Sequence, residues 1–433
     1  MFDDLKRAVV RGGGTRQVRA LLTLCRRLLS ERGEANSVAI AREIVAGYGA
    51  LADEARDRFF EHLAADFNPD PQALLASAEA YARAPTAAHL LQLVRVAEPP
   101  RQELVRRINR LPGGTAHIVA MRRALLDRLA LQPELEALEA DFLHLLGSWF
   151  NPGFLRLQRV DWGSPAQLLE QLIRHEAVHA IDGWDDLRRR LQPDRRCFAF
   201  FHPQLPDEPL IFVEVALLPE MPAAIAPLIE KASTPQPPSS FKVAAFYSIS
   251  NCQPGLRGVS LGEFLIKRVA EELQREMPRL RTFCTLSPIP GLARWLRAGS
   301  ICGGRLSRPR AQRLAEARQA LLEACDGDLD HLVSADALRQ LPAPGAQALQ
   351  RLAAIYLAQC STATDGDPVA RFHLDNGARL ERLNPLGDLS AKGRRQSFGM
   401  MVNYLYDLQK VEAHHENFVH GDVAHSRHIA AWL

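Results

Sequence analysis

The feature that most limits the fold is a change of hydrophobic period about one third of the way along the chain. Up to residue 147, apolar residues recur at helical spacing, as in "SVAIAREIVAGYGALADEARDRFFEHLAADF" (37–67). A second helix is expected over 71–84, after the break at Asn68-Pro69-Asp70-Pro71. Gly113-Gly114-Thr115 offers a turn and an N-cap, and Ile118, Met121, Leu125 and Leu129 lie along one helical face beyond it. Near Trp149-Phe150-Asn151-Pro152-Gly153 the period changes. "RCFAFFH" (196–202), "PLIFVEVALL" (209–218) and "KVAAFYSIS" (242–250) are rich in aromatic and β-branched residues and are expected to be strands.

"KASTPQPPSS" (231–240) is expected to be a surface loop. A helix over 261–277 ends at Pro278, and "RTFCTL" (281–286) is the next strand. Helix returns over 304–360, with a Pro/Gly break at 341–346. Asn376-Gly377 inside "ARFHLDNGARLERL" (370–383) predicts a hairpin, and the last helix is expected from about Phe398. The pattern predicts an α+β chain, with an all-helical domain over 1–147 and a mixed-sheet domain over 148–433.

Composition narrows the function. A net charge of +3 does not argue for nucleic acid, and no apolar run is long enough to span a bilayer. The seven cysteines are scattered, odd in number and without a C-x-x-C pair. Neither a disulfide framework nor a structural zinc site is expected, and a reducing compartment fits. The first residues, "MFDDLKRAVV", do not read as a signal peptide, so the expected location is the cytoplasm.

Three stretches attract chemistry. "LIRHEAVHAI" (172–181) contains His175-Glu176-Ala177-Val178-His179, the H-E-x-x-H spacing that on a helix places two zinc ligands and a general base on one face. A zinc site needs a third protein ligand. The extended pattern fails because Gly183 comes one residue late and no histidine follows at the required step; Glu208 and Glu214 are distant candidates. The segment Gly255-Leu256-Arg257-Gly258-Val259-Ser260-Leu261-Gly262 lies between a strand and a helix, where backbone N–H groups and the helix dipole favour an anion. Ser287 stands at a strand end in "LSPIPG", and His373 stands beside the Asn376-Gly377 turn. The His-rich 414–428 lacks Cys and has irregular spacing, so it reads as a solvated tail.

Several of these stretches, in this order, resemble the malonyl-CoA decarboxylase family: "EAVH…W" (176–184), "RRCFAFFH" (195–202), "EPLIFVEVAL" (208–217), "FYSIS", "LRGVSLGEFLIKRVAEELQRE", "LSPIPG", "FHLDNGA" and "MVNYLY". The resemblance spans most of 148–410. It implies an acetyltransferase-like catalytic domain behind a helical oligomerisation domain. It implies conversion of malonyl-CoA to acetyl-CoA and CO₂ with no metal and no organic cofactor, by a homotetramer arranged as a dimer of dimers. The family's catalytic Ser–His pair falls on Ser287 and His373, a further active-site tyrosine on Tyr406 and a further serine on Ser248. Its malonyl-CoA-binding segment falls on Arg257, Gly258, Val259, Ser260, Leu261, Gly262 and Glu263, with Ser260 where family members can carry an acidic residue. An acyl-CoA-dependent acyltransferase shares the loop and the fold and stays open at this point, as does the zinc protease.

Overall fold

The computed structural model describes residues 2–261, 265–302, 306–363 and 366–433, with side chains from residue 14 onward. The chain divides into two units. The first comprises Met1–Leu155, His202–Glu208 and Gln253–Leu261; the second comprises Arg156–Phe201, Pro209–Cys252 and Gly262–Leu433.

The first unit is helical. The single helix expected over 37–67 is two, Glu34–Gly49 and Asp53–Asp66. The apolar period runs on across the join, which hides it. Gly49 ends one helix, Leu51 is buried in the turn, and Asp53 and Glu54 open the next with negative charge at its N-terminus. Helix Pro71–Arg83 starts where expected, because the Asp70 carboxylate accepts from Gln72 N–H at 2.9 Å and Pro71 fills the first position. Phe59, Phe60, Leu63, Leu104, Ile108, Leu138 and Phe142 make the core. By contrast, helices Pro71–Arg83 and Ala87–Ala97 pack on each other and bury no residue of their own.

In the second unit, the described residues form one mixed sheet of eight strands: β1 (Arg156–Val160), β2 (Arg195–Phe201), β3 (Ile211–Leu218), β4 (Val243–Asn251), β5 (Thr282–Thr285), β6 (Ser287–Pro288), β7 (Arg379–Asn384) and β8 (Met401–Leu405). The order is β1-β2-β3-β4-β5-β8-β6, with β7 also on β8. Only β4 and β5 run parallel, joined by a crossover that contains helix Leu265–Glu276. That helix buries Leu265, Ile266, Val269, Ala270 and Leu273 along one stripe. Helices Ala166–His175 and Gly183–Arg190 contribute Leu169, Leu172 and Leu187 to a core shared with Cys197, Ala199, Phe201 and Phe212 of β2 and β3.

Four expectations need correction. Residues 370–383 are not a hairpin: helix Pro368–Asp375 comes first and β7 follows. Asp367 caps that helix, and Asn376-Gly377 ends it, with Gly377 at φ 77° in the left-handed conformation of a helix stop. No helix starts at Phe398. That residue caps the short helix Ala391–Ser397, and β8 follows as an inserted strand, Met-Val-Asn-Tyr-Leu, buried from Met401 to Tyr404 with Asn403 in its middle, so no alternation of apolar and polar residues marks it. The first strand, expected at 196–202, is instead β1, which precedes the H-E-x-x-H segment; as an edge strand it carries Arg156, Gln158 and Arg159, which masks its character. Finally, Cys302 and Cys360, 58 residues apart, form a disulfide. Tertiary folding brings them together, so no local spacing announced the pair.

Candidate active site

The site grows out of an irregularity in the sheet. Strand β4 carries one extra residue, Tyr247, where the β3–β4 register slips between Glu214 and Val215. Up to Phe246, β4 pairs with β5, and the last bond of that seam is Leu286 N–H to Phe246 O at 2.9 Å. Beyond it the strands part. Ser248 to Asn251 stay with β3, while Ser287 and Pro288 pair with Val402 and Met401 of β8. Pro288 has no N–H to offer to the other side. The fork holds a cavity of about 320 Å³, walled by Ile211, Phe246, Leu286, Pro288, Pro368 and Phe372, with Ser248, Asn251, Ser287 and His373 as its polar groups. An apolar cleft with a few convergent polar groups is the usual form of a small-ligand site.

Ser287 Oγ lies 3.0 Å from His373 Nε2, and His373 Nδ1 lies 2.9 Å from Tyr406 Oη. The hydroxyl of Ser287 donates to Thr285 Oγ1 at 2.9 Å, and Thr285 Oγ1 also accepts from Tyr404 N–H at 3.1 Å. With its hydrogen committed there, Ser287 turns a lone pair to His373. The network therefore assigns the imidazole hydrogen to Nε2, and Nδ1 accepts from the Tyr406 hydroxyl. The ring is fixed by stacking on Tyr404, with centroids 4.6 Å apart. Ser287, His373, Tyr404 and Tyr406 are all buried. Burial pushes the His373 imidazole down to about 3 and holds the Tyr406 phenol well above its ordinary value, so both are neutral at ordinary pH.

Ser248 stands on the other tine of the fork and brings a residue that the sequence offered only as the general base of a zinc site. Its hydroxyl donates to both carboxylate oxygens of Glu176 at 2.7 Å, and Ser250 donates to the same carboxylate at 3.1 Å. The N–H groups of Val178 and His179 add bonds of 2.9 and 2.7 Å. Glu176 is thus a buried carboxylate satisfied by four donors. Helix Ala166–His175 stops one residue before it, and Glu176 itself is extended. Lys392 holds the carbonyls of Ala177 and Val178, and Arg190 holds those of His179 and Ala180. His175 and His179 therefore do not share a helical face. Among the described residues no group of three or more His, Cys, Asp or Glu is placed to hold a metal. The glutamate of the H-E-x-x-H pattern was the informative residue. Its signal was the pair Ser248/Ser250 on one strand face, legible only once the partner segment is known.

The loop residues Arg257 to Leu261 belong to the first unit, and the four catalytic candidates to the second. Arg257, Gly258 and Ser260 are exposed, Val259 and Leu261 are buried, and Gly262 and Glu263 lie outside the described residues. Arg122, itself buried, donates to the carbonyls of Gly255 and Arg257 at 2.7 Å each. Gly258 takes φ 81°. Gly255 lies so close to helix Gly114–Leu126 that an added Cβ would be 2.1 Å from Val119 O. The loop is a braced backbone structure.

A mixed sheet forked between its two parallel strands, with buried Ser, His and Tyr in hydrogen-bonded sequence at the fork, defines an α+β protein of the acetyltransferase-like class. Two family descriptions match the chain: malonyl-CoA decarboxylase C-terminal domain over residues 153–433, and malonyl-CoA decarboxylase N-terminal domain over 67–150. The chain belongs to the malonyl-CoA decarboxylase family. A crystal structure of malonyl-CoA decarboxylase from Rhodopseudomonas palustris superposes with a TM-score of 0.84 at 47% identity, over 96% of this chain and 99% of that one. The mitochondrial malonyl-CoA decarboxylase of Rattus norvegicus is 36% identical over 411 residues, 88% of this chain and 82% of the rat protein. That of Anser anser anser is 37% identical over 330 residues, which span 72% of this chain and 64% of the goose protein.

Proposed function

We propose that this chain decarboxylates malonyl-CoA to acetyl-CoA and CO₂ at the β4–β5 fork, with Ser287, His373, Tyr406 and Ser248 as its working groups. The observation that carries the reading is the Ser287–His373–Tyr406 hydrogen-bonded chain, whose serine and histidine line the cavity. Loss of CO₂ leaves an electron pair on the α-carbon, delocalised onto the thioester oxygen. The thioester is itself the electron sink, so the protein must hold the carboxylate so that the breaking C–C bond overlaps the carbonyl π system. It must offer donors where the oxyanion grows. A proton then has to reach the α-carbon.

His373 carries that proton on Nε2, and Ser287, once its hydroxyl turns from Thr285 to the substrate, either passes the proton on or fixes the malonyl carboxylate. Tyr406 donates to Nδ1 and so offsets the charge left on the ring. The apolar wall of Ile211, Phe246 and Leu286 keeps water from the carbanion. Glu176 fixes the rotamer of Ser248 through two short bonds. Each turnover consumes one proton, returned to the chain of hydroxyls and imidazole from solvent.

For the rest of the substrate, the loop Arg257, Gly258, Val259, Ser260, Leu261, Gly262 and Glu263 takes the acyl-CoA, supported by the bracing of Gly255 and Arg257 on Arg122. With Ser260 in the loop, no carboxylate acts from that position. The helical unit serves assembly into a homotetramer, a dimer of dimers, supported by exposed Leu75, Leu91 and Val94 on helices that bury nothing of their own. The place of action is the cytoplasm, supported by five free cysteines, all buried, although the Cys302–Cys360 disulfide counts the other way. Among the described residues no helix is long and apolar enough to cross a membrane.

The test is CO₂ release from malonyl-CoA by the purified chain with no acyl acceptor present, with and without a chelator. Release that a chelator leaves unchanged is expected. Release that requires an amine or alcohol acceptor would give the site to an acyltransferase.

A further inference from the structure

The Ser287–His373 contact joins residues 86 positions apart, on two different elements. Ser287 begins the stretch Ser287-Pro288-Ile289-Pro290-Gly291 that runs into helix Leu292–Arg297, and His373 sits on the second turn of helix Pro368–Asp375. Asp367, fully buried, touches both. Its Oδ1 accepts the N–H groups of Val369 and Ala370 at 3.0 Å each, and its Oδ2 accepts the N–H of Gly291 at 2.8 Å.

The second oxygen is the informative one. Capping a helix needs a single acceptor, which Ser, Thr or Asn supplies as well as Asp. Burying a full carboxylate is costly unless each oxygen is satisfied. Here the extra oxygen reaches the turn that leaves the serine strand. The approach is built from both sides. A Cβ on Gly291 would lie 2.0 Å from Tyr356 Oη and 3.1 Å from Asp367 Oδ2, so only glycine lets this backbone come so near. Tyr356 is in turn stacked on Trp295 of the helix that follows Gly291, with centroids 4.8 Å apart.

We propose that Asp367 is a positioning residue, a carboxylate clamp that ties the serine-bearing turn to the histidine-bearing helix and sets the Ser287–His373 distance. The inference rests on the decarboxylase reading of the pair, but the clamp is a property of the resting protein and can be tested apart from it.

Asp367→Asn is the informative change. The amide keeps one oxygen for the cap, while its NH₂ meets the Gly291 N–H donor to donor. Asp367→Ser keeps the cap and is too short to reach Gly291, and it serves where the amide variant fails to fold. For either variant kcat is expected to fall about 10- to 100-fold, the scale of a sub-ångström to 1 Å misplacement. KM and the Kd for acetyl-CoA, measured by calorimetry, are expected to stay within about threefold. In a Ser287→Ala background the second change should lower the residual rate by less than about twofold, because nothing is left to position. The resting geometry has its own readout. The His373 imidazole N–H resonance, assigned by its absence in His373→Gln, should shift in Asp367→Asn. An unshifted resonance, or kcat within about twofold of the parent protein in both variants, overturns the clamp. So does an equal loss with and without Ser287, which would mark general destabilisation. A parent protein that releases no CO₂ would instead remove the decarboxylase reading and leave the resonance test standing.

Discussion

A histidine that burial pushes down to about 3 does not act as an imidazolium, and this decides how His373 can serve. In the proposed reaction it gives a proton as neutral imidazole, from Nε2, to a carbanion basic enough to take it, while Tyr406 supports Nδ1. The sign of the linkage is fixed by the same shift. The folded pKa lies below the ordinary value of 6.5, so the unfolded chain binds the proton first. The contribution to stability is fully present above pH 6.5 and is lost as pH falls from there towards 3. An exposed imidazole, with the same pKa folded and unfolded, would contribute no such dependence. His373→Gln should therefore separate two properties. Its kcat should fall by roughly 10²- to 10⁴-fold, the worth of a positioned general acid. Its urea midpoint should drop less between pH 7 and 5 than that of the parent protein. His179, pushed down to about 4 by burial, keeps part of the acid sensitivity in the variant. A parent kcat profile with a histidine limb near pH 6.5 would contradict the buried neutral ring.

At the level of elements, the same dipeptide can punctuate two structures. Asn376-Gly377 predicts a hairpin because a left-handed glycine between apolar stretches fits a two-residue turn. The chain uses it as a helix stop, and the deciding signal is upstream, where Asp367-Pro368 opens a helix. That Ser287, His373, Tyr406 and Ser248 meet around one fork was legible through the order of motifs, although His373 lies on a helix and not on a strand. Glu176 and Asp367 were not legible. A carboxylate acquires its role from donors that tertiary structure delivers, here from β4 in one case and from Gly291 in the other. The Gly255 turn was legible as a glycine position but not its reason, the approach to Val119 O. Gly255→Ala puts a carbon 2.1 Å from that oxygen, so the loop must move. With the loop holding the acyl-CoA as proposed, KM for malonyl-CoA is expected to rise about tenfold with kcat nearly unchanged, because only binding away from the reacting atoms changes. A fall in kcat at constant KM would take the loop out of substrate binding.

For the whole molecule, the passage from a helical region to a mixed sheet was legible because the period of the apolar residues changes from helical to strand-like, and period is the strongest local signal. What period does not carry is which faces stay uncovered. Helices Pro71–Arg83 and Ala87–Ala97 show this most clearly. Both are amphipathic, yet Leu75 is 62% exposed, Leu91 65% and Val94 60%. An apolar stripe left open on paired helices costs solubility unless something covers it. In a closed symmetric oligomer the same stripe on another copy is the natural cover. Replacing Leu75, Leu91 and Val94 together by Glu puts three charges into that stripe. None of the three is buried, so the fold should persist, with a helical circular-dichroism spectrum like that of the parent. The parent protein should elute at four times the 48.1 kDa chain mass by light scattering, and the triple variant at a smaller multiple. The groups proposed to act all lie in the second unit, so CO₂ release per chain should stay within about twofold. A variant that keeps the parent mass would move the assembly surface away from these helices, and a parent that runs as a single chain would end the tetramer proposal.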